Sequence, residues 1–381
     1  MEKNLEKNSE FFLNENSLFP SYLPPKLLCR DHEYNFLKGI LKEFDFYSQS
    51  VLIVGDLGFG KTTLSNFVSS EILKKNSRIK YIPITCLECK KSFYKILLKI
   101  VKSFIPNFPL KGYSLSELIK YLIHALKNSK SNVIVLIDDL EFLIDKSLQS
   151  IYSLSRFKES VLDEKLKICF IYTLGNENYL EKLNKEHIGF IKKNIIKLKK
   201  YSKEEIEEIL AYRASLAFKK NKVHPKAIEL IAQLASETGN LAYAIEILWR
   251  AGKYAEHERA KQLIDKHVLK ACNEVSPKIR HDLNKFLSFH EKLFLMAIIK
   301  SLEKTSMDYV SIGEVEKVYE YICKEYNEKP RKHTQLWEYM HNLKEVGLIS
   351  LKLSGEGFRG KSTLMNFQPK TISTIKRLIN I

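Results

Sequence analysis

Residues 51–62 read Val51-Leu52-Ile53-Val54-Gly55-Asp56-Leu57-Gly58-Phe59-Gly60-Lys61-Thr62, a short apolar run that passes directly into a glycine-rich turn. The turn matches the pattern G-x-x-x-x-G-K-[ST], and the residues after it, Thr63–Lys74, have a helical pattern. Glycine adopts positive φ and lets the backbone approach a ligand closely, so successive N–H groups can surround a phosphate. The order strand, loop, helix therefore predicts a phosphate-binding loop and makes an ordinary glycine turn a much weaker explanation.

The predicted loop gives a role to each of its polar side chains. The Lys61 ammonium is expected at the β- and γ-phosphates of ATP or at the β-phosphate of ADP, and the Thr62 hydroxyl is expected to ligate Mg²⁺. The partial positive charge at the start of the helix adds to the attraction for phosphate. The residues predicted to bind nucleotide are Gly55, Gly58, Phe59, Gly60, Lys61, Thr62 and Thr63.

A second apolar run, Val133–Ile137, ends in two carboxylates, Asp138 and Asp139. Asp138 stands where a strand-end aspartate holds the Mg²⁺ of a bound nucleotide, together with Thr62. Asp139 follows it and is a candidate for activating the attacking water. The alternative is that both aspartates only cap the helix that follows.

Apolar runs and helical patterns alternate from about residue 50 to residue 200, which predicts an α/β domain with a parallel sheet. The predicted strands are Val51–Val54, Tyr81–Thr85, Val133–Ile137 and Ile168–Leu174. From Tyr201 to about Ala271 the pattern is helical throughout, and Ser202 with Glu205 has the spacing of a capping box at the start of the first helix. The predicted domains are a polar tail (1–18), the nucleotide-binding domain (19–200), an all-α lid (201–272) and a third domain (285–381).

The third domain has the pattern of a winged helix: helices followed by two short strands around a glycine-rich basic tip. Its helix after Pro330 has Leu336, Met340 and Leu343 on one face, which leaves the other face free for the major groove of DNA. Arg331–Ile381 holds nine Lys and Arg against three Asp and Glu. A winged helix that contacts protein is the rival interpretation. The residues predicted to bind DNA here are Arg331, Lys332, His333, Thr334 and Gln335 on the helix and Arg359, Gly360 and Lys361 on the wing.

The composition agrees with a polyanionic partner. Lys and Arg number 62 against 45 Asp and Glu, and the formal net charge of +17 favours phosphate neutralisation and counterion release. A general abundance of lysine is the alternative explanation. Residues 1–16 are polar, with no signal peptide, and no apolar run reaches the roughly 20 residues that span a bilayer. These features predict a cytoplasmic, nucleoid-associated protein without a membrane partner.

The six cysteines are scattered, which is not a disulfide framework. Cys86 and Cys89 have the spacing of metal ligands, but no second pair accompanies them. We therefore expect structural thiols at these two positions rather than a metal site.

Taken together, the order of these motifs resembles the archaeal origin-recognition initiators of the AAA+ class, over about residues 17–368. Tyr22–Glu33 is similar to the segment that lines the family's adenine pocket, and residues 91–125 occupy the position of its DNA-binding helical insertion, with Lys111-Gly112 as a basic step. Asn176 lies where the family has its γ-phosphate sensor. The residues from Thr238 to Ala244 resemble the start of its second sensor helix. The resemblance implies a replication initiator that binds origin duplex DNA, with a replicative helicase and paralogous initiators as further partners.

Three departures from the family pattern concern hydrolysis. The second sensor arginine is replaced by Ala242, and Arg250 lies two turns too far along the helix to substitute for it. The finger arginine is expected near residues 184–187, where only His187 is a candidate and a surface histidine is the simpler explanation. Asp139 stands where glutamate is commoner, and its carboxylate is withdrawn by one methylene, about 1.5 Å. These departures predict tight nucleotide binding with slow turnover.

Three functions remain open at this point. The first is a replication initiator, and the second is an initiator-derived DNA-binding regulator that does not load a helicase, which the missing arginines favour. The third is an ATPase subunit of a mobile element or a signalling switch, in which the winged helix binds protein.

Overall fold

A five-stranded parallel sheet forms the centre of the first of two units into which the chain divides, Met1–Ile245 and Glu246–Ile381. The computed structural model describes residues 9–43, 49–89, 92–129, 131–146, 167–181, 194–272, 274–275, 287–305, 309–345, 348–353 and 363–366. The strands are β1 (Gln49–Val54), β2 (Ile79–Thr85), β3 (Asn132–Asp138), β4 (Ile168–Leu174) and β5 (Ile195–Lys197). Their order in the sheet is β2-β3-β4-β1-β5. The predicted α/β class and all four predicted strands are confirmed.

The burial of the sheet explains why its strands are apolar without alternation. Every residue of β1 and β4 is buried, and in β3 only Asn132 is partly exposed. A parallel sheet with helices over both faces has this pattern because neither face meets water. The register pairs Val54 with Leu174 and Thr85 with Asp138, so the carboxyl ends of neighbouring strands meet at one edge.

Six helices surround the sheet in the described part of this region: α1 (Asp31–Glu43), α2 (Lys61–Lys75), α3 (Phe93–Phe104), α4 (Leu115–Ser129), α5 (Glu141–Lys146) and α6 (Asn178–Glu181). Helices α1 and α2 share one core with β1 and β4, to which Leu37, Leu64 and Val68 contribute fully buried side chains. This core fixes α2, whose first residue is the lysine of the glycine-rich turn.

The next region is helical, as predicted, and contains α7 (Lys203–Ala217), α8 (Pro225–Ser236), α9 (Leu241–His257) and α10 (Asp265–Cys272). Ser202 caps α7: its hydroxyl accepts from Glu205 N, while the Glu205 carboxylate accepts from Ser202 N. This reciprocal capping box is the one that the sequence predicted. The boundary between the two units falls within α9.

Residues 9–18 differ from the prediction, which placed them in a polar tail. Phe11, Phe12 and Leu18 are buried, and Phe12 forms an antiparallel bridge with Phe218 at the end of α7. The Phe12 and Phe218 ring centroids are 4.7 Å apart. Burial of three large apolar side chains outweighs the polar character of their neighbours. The segment is therefore part of the first unit.

The second unit contains α11 (Phe289–Thr305), β6 (Val310–Ser311), α12 (Ile312–Glu325), α13 (His333–Glu345), β7 (Ser350–Leu353) and β8 (Thr363–Asn366). The three strands form an antiparallel sheet in the order β6-β8-β7. Leu336, Met340 and Leu343 are fully buried on one face of α13, as predicted. Three helices followed by two wing strands confirm the winged-helix architecture.

Two further sequence expectations concern membranes and cysteines. Within the described residues, no helix has both the length and the apolar composition needed to cross a membrane. All six cysteines are free thiols, and Cys86 and Cys89 are buried. Burial raises the pKa of Cys89 to about 11, so it is a neutral thiol at physiological pH. Among the described residues no three His, Cys, Asp or Glu side chains are grouped as metal ligands.

Candidate nucleotide and nucleic-acid sites

The glycine-rich turn has the backbone conformation that its composition predicts. Gly58 and Gly60 have φ of 83° and 87°, and Gly60 directly precedes α2. The Lys61 ammonium donates to the carbonyl oxygens of Gly55 at 2.5 Å and Asp56 at 3.1 Å. The lysine is thus held over the loop by the loop's own backbone, where an arriving phosphate would compete for its protons.

The three glycines of this loop are also sites of close contact. A Cβ on Gly58 would lie 1.9 Å from Asn240 Oδ1, and a Cβ on Gly60 would lie 3.0 Å from the Tyr201 hydroxyl. A Cβ on Gly55 would lie 3.0 Å from Leu198 Cβ. The loop is therefore enclosed by residues from β5 onward, which the local sequence pattern does not reveal.

Asn240 connects the loop to the start of α9. Its Oδ1 accepts from Tyr243 N at 3.0 Å, which caps the helix, and Leu241 N donates to Gly58 O at 3.3 Å. Ala242 is the next residue and its side chain is exposed. The first turn of α9 thus contacts the glycine-rich turn through the backbone, and the residue at the sensor position brings no charge to it.

The Asp138 carboxylate lies between two hydroxyl groups at the carboxyl ends of β3 and β4. Thr62 Oγ1 donates to its Oδ2 at 2.8 Å, and Thr173 Oγ1 donates to its Oδ1. Thr173 also accepts from Asp139 N at 2.9 Å. Thr62 and Asp138, predicted as Mg²⁺ ligands, are therefore in direct contact. A hydroxyl and a carboxylate, completed by phosphate oxygens and water, suit Mg²⁺.

Asp139 and Asn176 have more constrained surroundings than the sequence suggested. Asp139 is buried and has φ of 59°, a left-handed conformation that is uncommon outside glycine. Asn176 is exposed, and its Oδ1 accepts from Asn178 N at 2.9 Å in a local turn. Thr173, which the sequence analysis did not select, orders Asp138 and Asp139 from the neighbouring strand.

Arg30 joins three separate segments beside the loop. Its Nη2 donates to Lys199 O at 2.7 Å and to Phe59 O at 3.3 Å, and its guanidinium lies 3.8 Å from the Tyr201 ring centroid. Burial raises the pKa of the Tyr201 hydroxyl, which stays protonated. Tyr201 was not predicted as a site residue because it is distant from the loop in sequence, and Arg30 was included only through the resemblance of Tyr22–Glu33 to the family's adenine-pocket segment.

A partly open cavity lies beside Gly60 and Thr63 in the first unit. The residues that the sequence assigned to a base pocket contribute Pro24, Leu27 and Leu28 to it. Four features together fit a purine nucleotide with Mg²⁺: the glycine-rich turn, the Lys61 ammonium, the Thr62–Asp138 pair and the adjoining apolar cavity. The remaining lining residues are Lys26, Tyr201, Ile209, Tyr212, Arg213, Leu241 and Ile245.

The predicted DNA-binding residues of α13 are at the surface. Arg331, Lys332, His333, Thr334 and Gln335 are all exposed, and Trp337 on the same side is 42% exposed. His333 Nδ1 contacts Glu316 Oε2 at 3.0 Å, which ties the start of α13 to α12. The wing residues Arg359, Gly360 and Lys361 lie outside the described residues.

Lys111 lies in the turn between α3 and α4 and is exposed. The next residue, Gly112, has φ of 103°. Phe108, Tyr113 and Tyr121 form an aromatic cluster with centroid distances of 4.9–5.3 Å, which supports the turn. The turn therefore presents Lys111 on a fixed base rather than on a free loop.

Arg250, in the second unit, is engaged by carboxylates. Its Nε lies 2.7 Å from Glu246 Oε1, and its Nη1 lies 3.9 Å from Glu274 Oε2. Both partners are acidic and partly buried, so the arginine is already neutralised. The candidate finger position, residues 184–187 with His187, lies outside the described residues.

Family models match three parts of the chain: an AAA domain (residues 44–187), a Cdc6 AAA+ ATPase-type lid domain (207–273) and a CDC6 C-terminal winged helix domain (282–375). A curated relative, the ORC1-type DNA replication protein 2 of Sulfurisphaera tokodaii, is 30% identical over 391 residues. That alignment covers 98% of this chain and 93% of the relative.

Two solved structures have the same fold. The ORC1 protein of Aeropyrum pernix in complex with DNA has a TM-score of 0.76 at 21% identity, with 97% of this chain and 96% of that chain covered. The ORC2 protein of Aeropyrum pernix, in ADPNP–ADP complexes, has a TM-score of 0.65 at 23% identity and covers 97% of this chain and 100% of its own.

The contact between the glycine-rich turn and Asn240 yields a stability prediction. Gly58→Ala places a Cβ in a left-handed conformation and against Asn240 Oδ1. We expect the free energy of unfolding to fall by at least about 1–2 kcal/mol, measured by urea denaturation. The matched control is Gly39→Ala within α1, where no atom lies within 4 Å of the added Cβ, and this change should stabilise by about 0.5–1 kcal/mol. Equal effects of the two substitutions would contradict the close contact.

Proposed function

The chain belongs to the family of ORC1-type DNA replication proteins, and on this basis we propose that it is a replication initiator that binds origin duplex DNA and an adenine nucleotide. Duplex DNA is bound through the winged helix and the turn carrying Lys111, and the nucleotide is bound at the glycine-rich loop. The nucleotide sets conformation more than it supplies work, because hydrolysis is slow. DNA binding makes the nucleoid the place of action.

The nucleotide proposal rests above all on the Thr62–Asp138 contact beside the loop. Its 2.8 Å separation brings together the two groups that ligate Mg²⁺ in such sites, at the carboxyl ends of parallel strands. The positive φ of Gly58 and Gly60 supports phosphate binding by the backbone. The relative from Aeropyrum pernix solved in ADPNP–ADP complexes supports the same ligand class.

The DNA proposal is supported by the exposed basic start of α13. In a winged helix this end enters the major groove, where Arg331 and Gln335 are suited to read guanine and adenine edges. Lys332 and the wing residues Arg359 and Lys361 supply phosphate contacts. The relative of this fold solved in complex with DNA supports the same use of the domain.

The second candidate is a DNA-binding regulator derived from an initiator. The exposed Ala242 at the sensor position favours it, because an alanine gives the lid no charge with which to distinguish ATP from ADP. Genome-wide mapping of bound DNA separates the two candidates: an initiator concentrates at replication origins and co-purifies with a replicative helicase or with paralogous initiators. Binding at promoters without a helicase would favour the regulator.

Nucleotide binding is tested by Lys61→Ala, which removes the ammonium expected at the β-phosphate of ADP. We expect the affinity for ADP in the presence of Mg²⁺ to fall by about 10- to 100-fold, measured by isothermal titration calorimetry. Lys74→Ala, at the exposed far end of the same helix, is the matched control and should bind as the wild type does. Unchanged affinity of the Lys61 variant would remove the basis of the proposed site.

DNA binding is tested by replacing Arg359 and Lys361 together with alanine. Each lost phosphate contact reduces the magnitude of the slope of log K, the logarithm of the DNA association constant, against log salt by about 1. The slope should therefore become shallower by about 2, while affinity falls for all duplex sequences. The control is the double change Lys300→Ala and Lys304→Ala on the exposed side of α11, which removes the same formal charge from a different element. Fluorescence anisotropy over a salt series gives both slopes, and equal losses would point to net charge alone.

Slow turnover is tested by steady-state hydrolysis and by restoring a charge to α9. Without finger and sensor arginines we expect turnover of the order of 10⁻² s⁻¹ or slower. Ala242→Arg should raise the affinity for a non-hydrolysable ATP analogue several-fold over that for ADP, because a guanidinium then reaches the γ-phosphate. Wild-type turnover at the rate of AAA+ motors, or an unchanged affinity ratio in the variant, would refute this explanation.

A further inference from the structure

Arg213, on the cavity side of α7, is a buried cation whose hydrogen-bonding capacity is largely unused. It is 5% exposed, and its Nε and Nη1 are buried without a hydrogen-bond partner. Among the described residues no carboxylate forms an ion pair with it; its contact is with the Tyr22 ring, 5.0 Å away. Burial lowers the pKa of Arg213 from its usual value. A buried guanidinium in this state costs free energy that a structural role does not recover.

The position of Arg213 indicates where its missing partner comes from. It is one of the residues that line the cavity beside Gly60 and Thr63, so a molecule in the cavity lies next to its side chain. Arg250, in the second unit, differs from Arg213 because it has two carboxylate neighbours.

The lining of the cavity indicates whether the acceptor for Arg213 is a phosphate or part of a nucleoside. The walls of the cavity near Arg213 are largely apolar, with Leu28, Ile209 and Ile245, and suit a flat ring rather than a charged phosphate. The phosphate groups have their own cradle in the glycine-rich turn with Lys61. A guanidinium has donors only, so its partner must be an acceptor such as a purine ring nitrogen or a ribose oxygen.

We propose that Arg213 is a specificity-determining residue that donates a hydrogen bond to an acceptor atom on the nucleoside part of the bound nucleotide. This inference rests on the proposed nucleotide site and adds to it a direct contact that phosphate binding does not require. The contact compensates a guanidinium that is already desolvated, so little is lost in forming it. Nucleotide binding therefore relieves an unsatisfied group and couples α7 to ligand occupancy.

The experiment compares Arg213→Met with the wild type for two ligands, ADP and inorganic tripolyphosphate. We expect Arg213→Met to lose about 10- to 100-fold in affinity for ADP and to bind tripolyphosphate as the wild type does. Arg213→Lys, which keeps the charge but not the planar fork, should recover only part of the loss. Arg250→Met is the control, since it removes a partly buried arginine that is not among the residues lining the cavity, and its ADP affinity should be unchanged.

Nucleoside analogues identify the acceptor. ADP analogues that each lack one acceptor, the 1-, 3- and 7-deaza bases and the 2′- and 3′-deoxyriboses, are titrated against both proteins. One analogue should bind the wild type more weakly than ADP does. The same analogue should bind Arg213→Met as ADP binds it, because this variant already lacks the donor to the missing acceptor. An equal loss in both proteins for every analogue overturns the inference.

The remaining outcomes separate this inference from the proposed function. If Lys61→Ala weakens both ADP and tripolyphosphate while Arg213→Met weakens neither, the nucleotide site stands and the role of Arg213 is rejected. If Lys61→Ala weakens neither ligand, the proposed site itself is rejected. An equal loss of ADP and tripolyphosphate in Arg213→Met makes the residue a phosphate or structural group. Thermal melting of each variant accompanies the titrations, and Arg213→Lys replaces Arg213→Met if the latter does not fold.

Discussion

The first unit must present backbone N–H groups to a polyanion without obstruction by side chains, and this requirement constrains it more than any other. Peptide N–H groups of a loop can converge on a phosphate where the chain takes positive φ, and Gly58 and Gly60 supply it. Apart from the buried Phe59, the loop has few side chains with which to pack. It is held instead by Leu198, Tyr201 and Asn240, which occupy the space that side chains on the three loop glycines would take. Later segments of the chain therefore shape the loop.

A related constraint applies to Asp138, the carboxylate that we propose to hold Mg²⁺. Asp138 is buried, and its described hydrogen bonds come from the hydroxyls of Thr62 and Thr173 rather than from a cation. Hydroxyl donors stabilise a carboxylate without neutralising it, so its charge remains available to a divalent ion. Thr173 also bonds Asp139 N and thereby fixes the turn after β3. One threonine on β4 thus orders both carboxylate residues.

The sequence predicts those features whose physical cause is local. The glycine-rich turn, the strand ending at Asp138 and the capping box at Ser202 each depend on neighbouring residues, and each was found from its pattern. Thr173, Tyr201 and Arg213 reach the site only through the fold, so no short pattern reveals them. Residues 9–18 were predicted as a polar tail because their few large apolar residues, among them Phe11, Phe12 and Leu18, are interspersed with polar ones. Their partner Phe218 lies some 200 positions away, and only the structure brings it close.

Ala242 and Arg213 together bear on what the nucleotide accomplishes. A ligand shifts a conformational equilibrium only by its differential affinity for the two states. The first turn of α9 meets the loop through the Leu241–Gly58 backbone bond, and Ala242 adds no charge that could distinguish ATP from ADP. The proposed contact of Arg213 goes to the nucleoside, which ATP and ADP share. On these proposals, occupancy of the site matters more than the state of the γ-phosphate. A protein of this kind would be switched by gaining or losing nucleotide, and the proposed slow hydrolysis would cost it little.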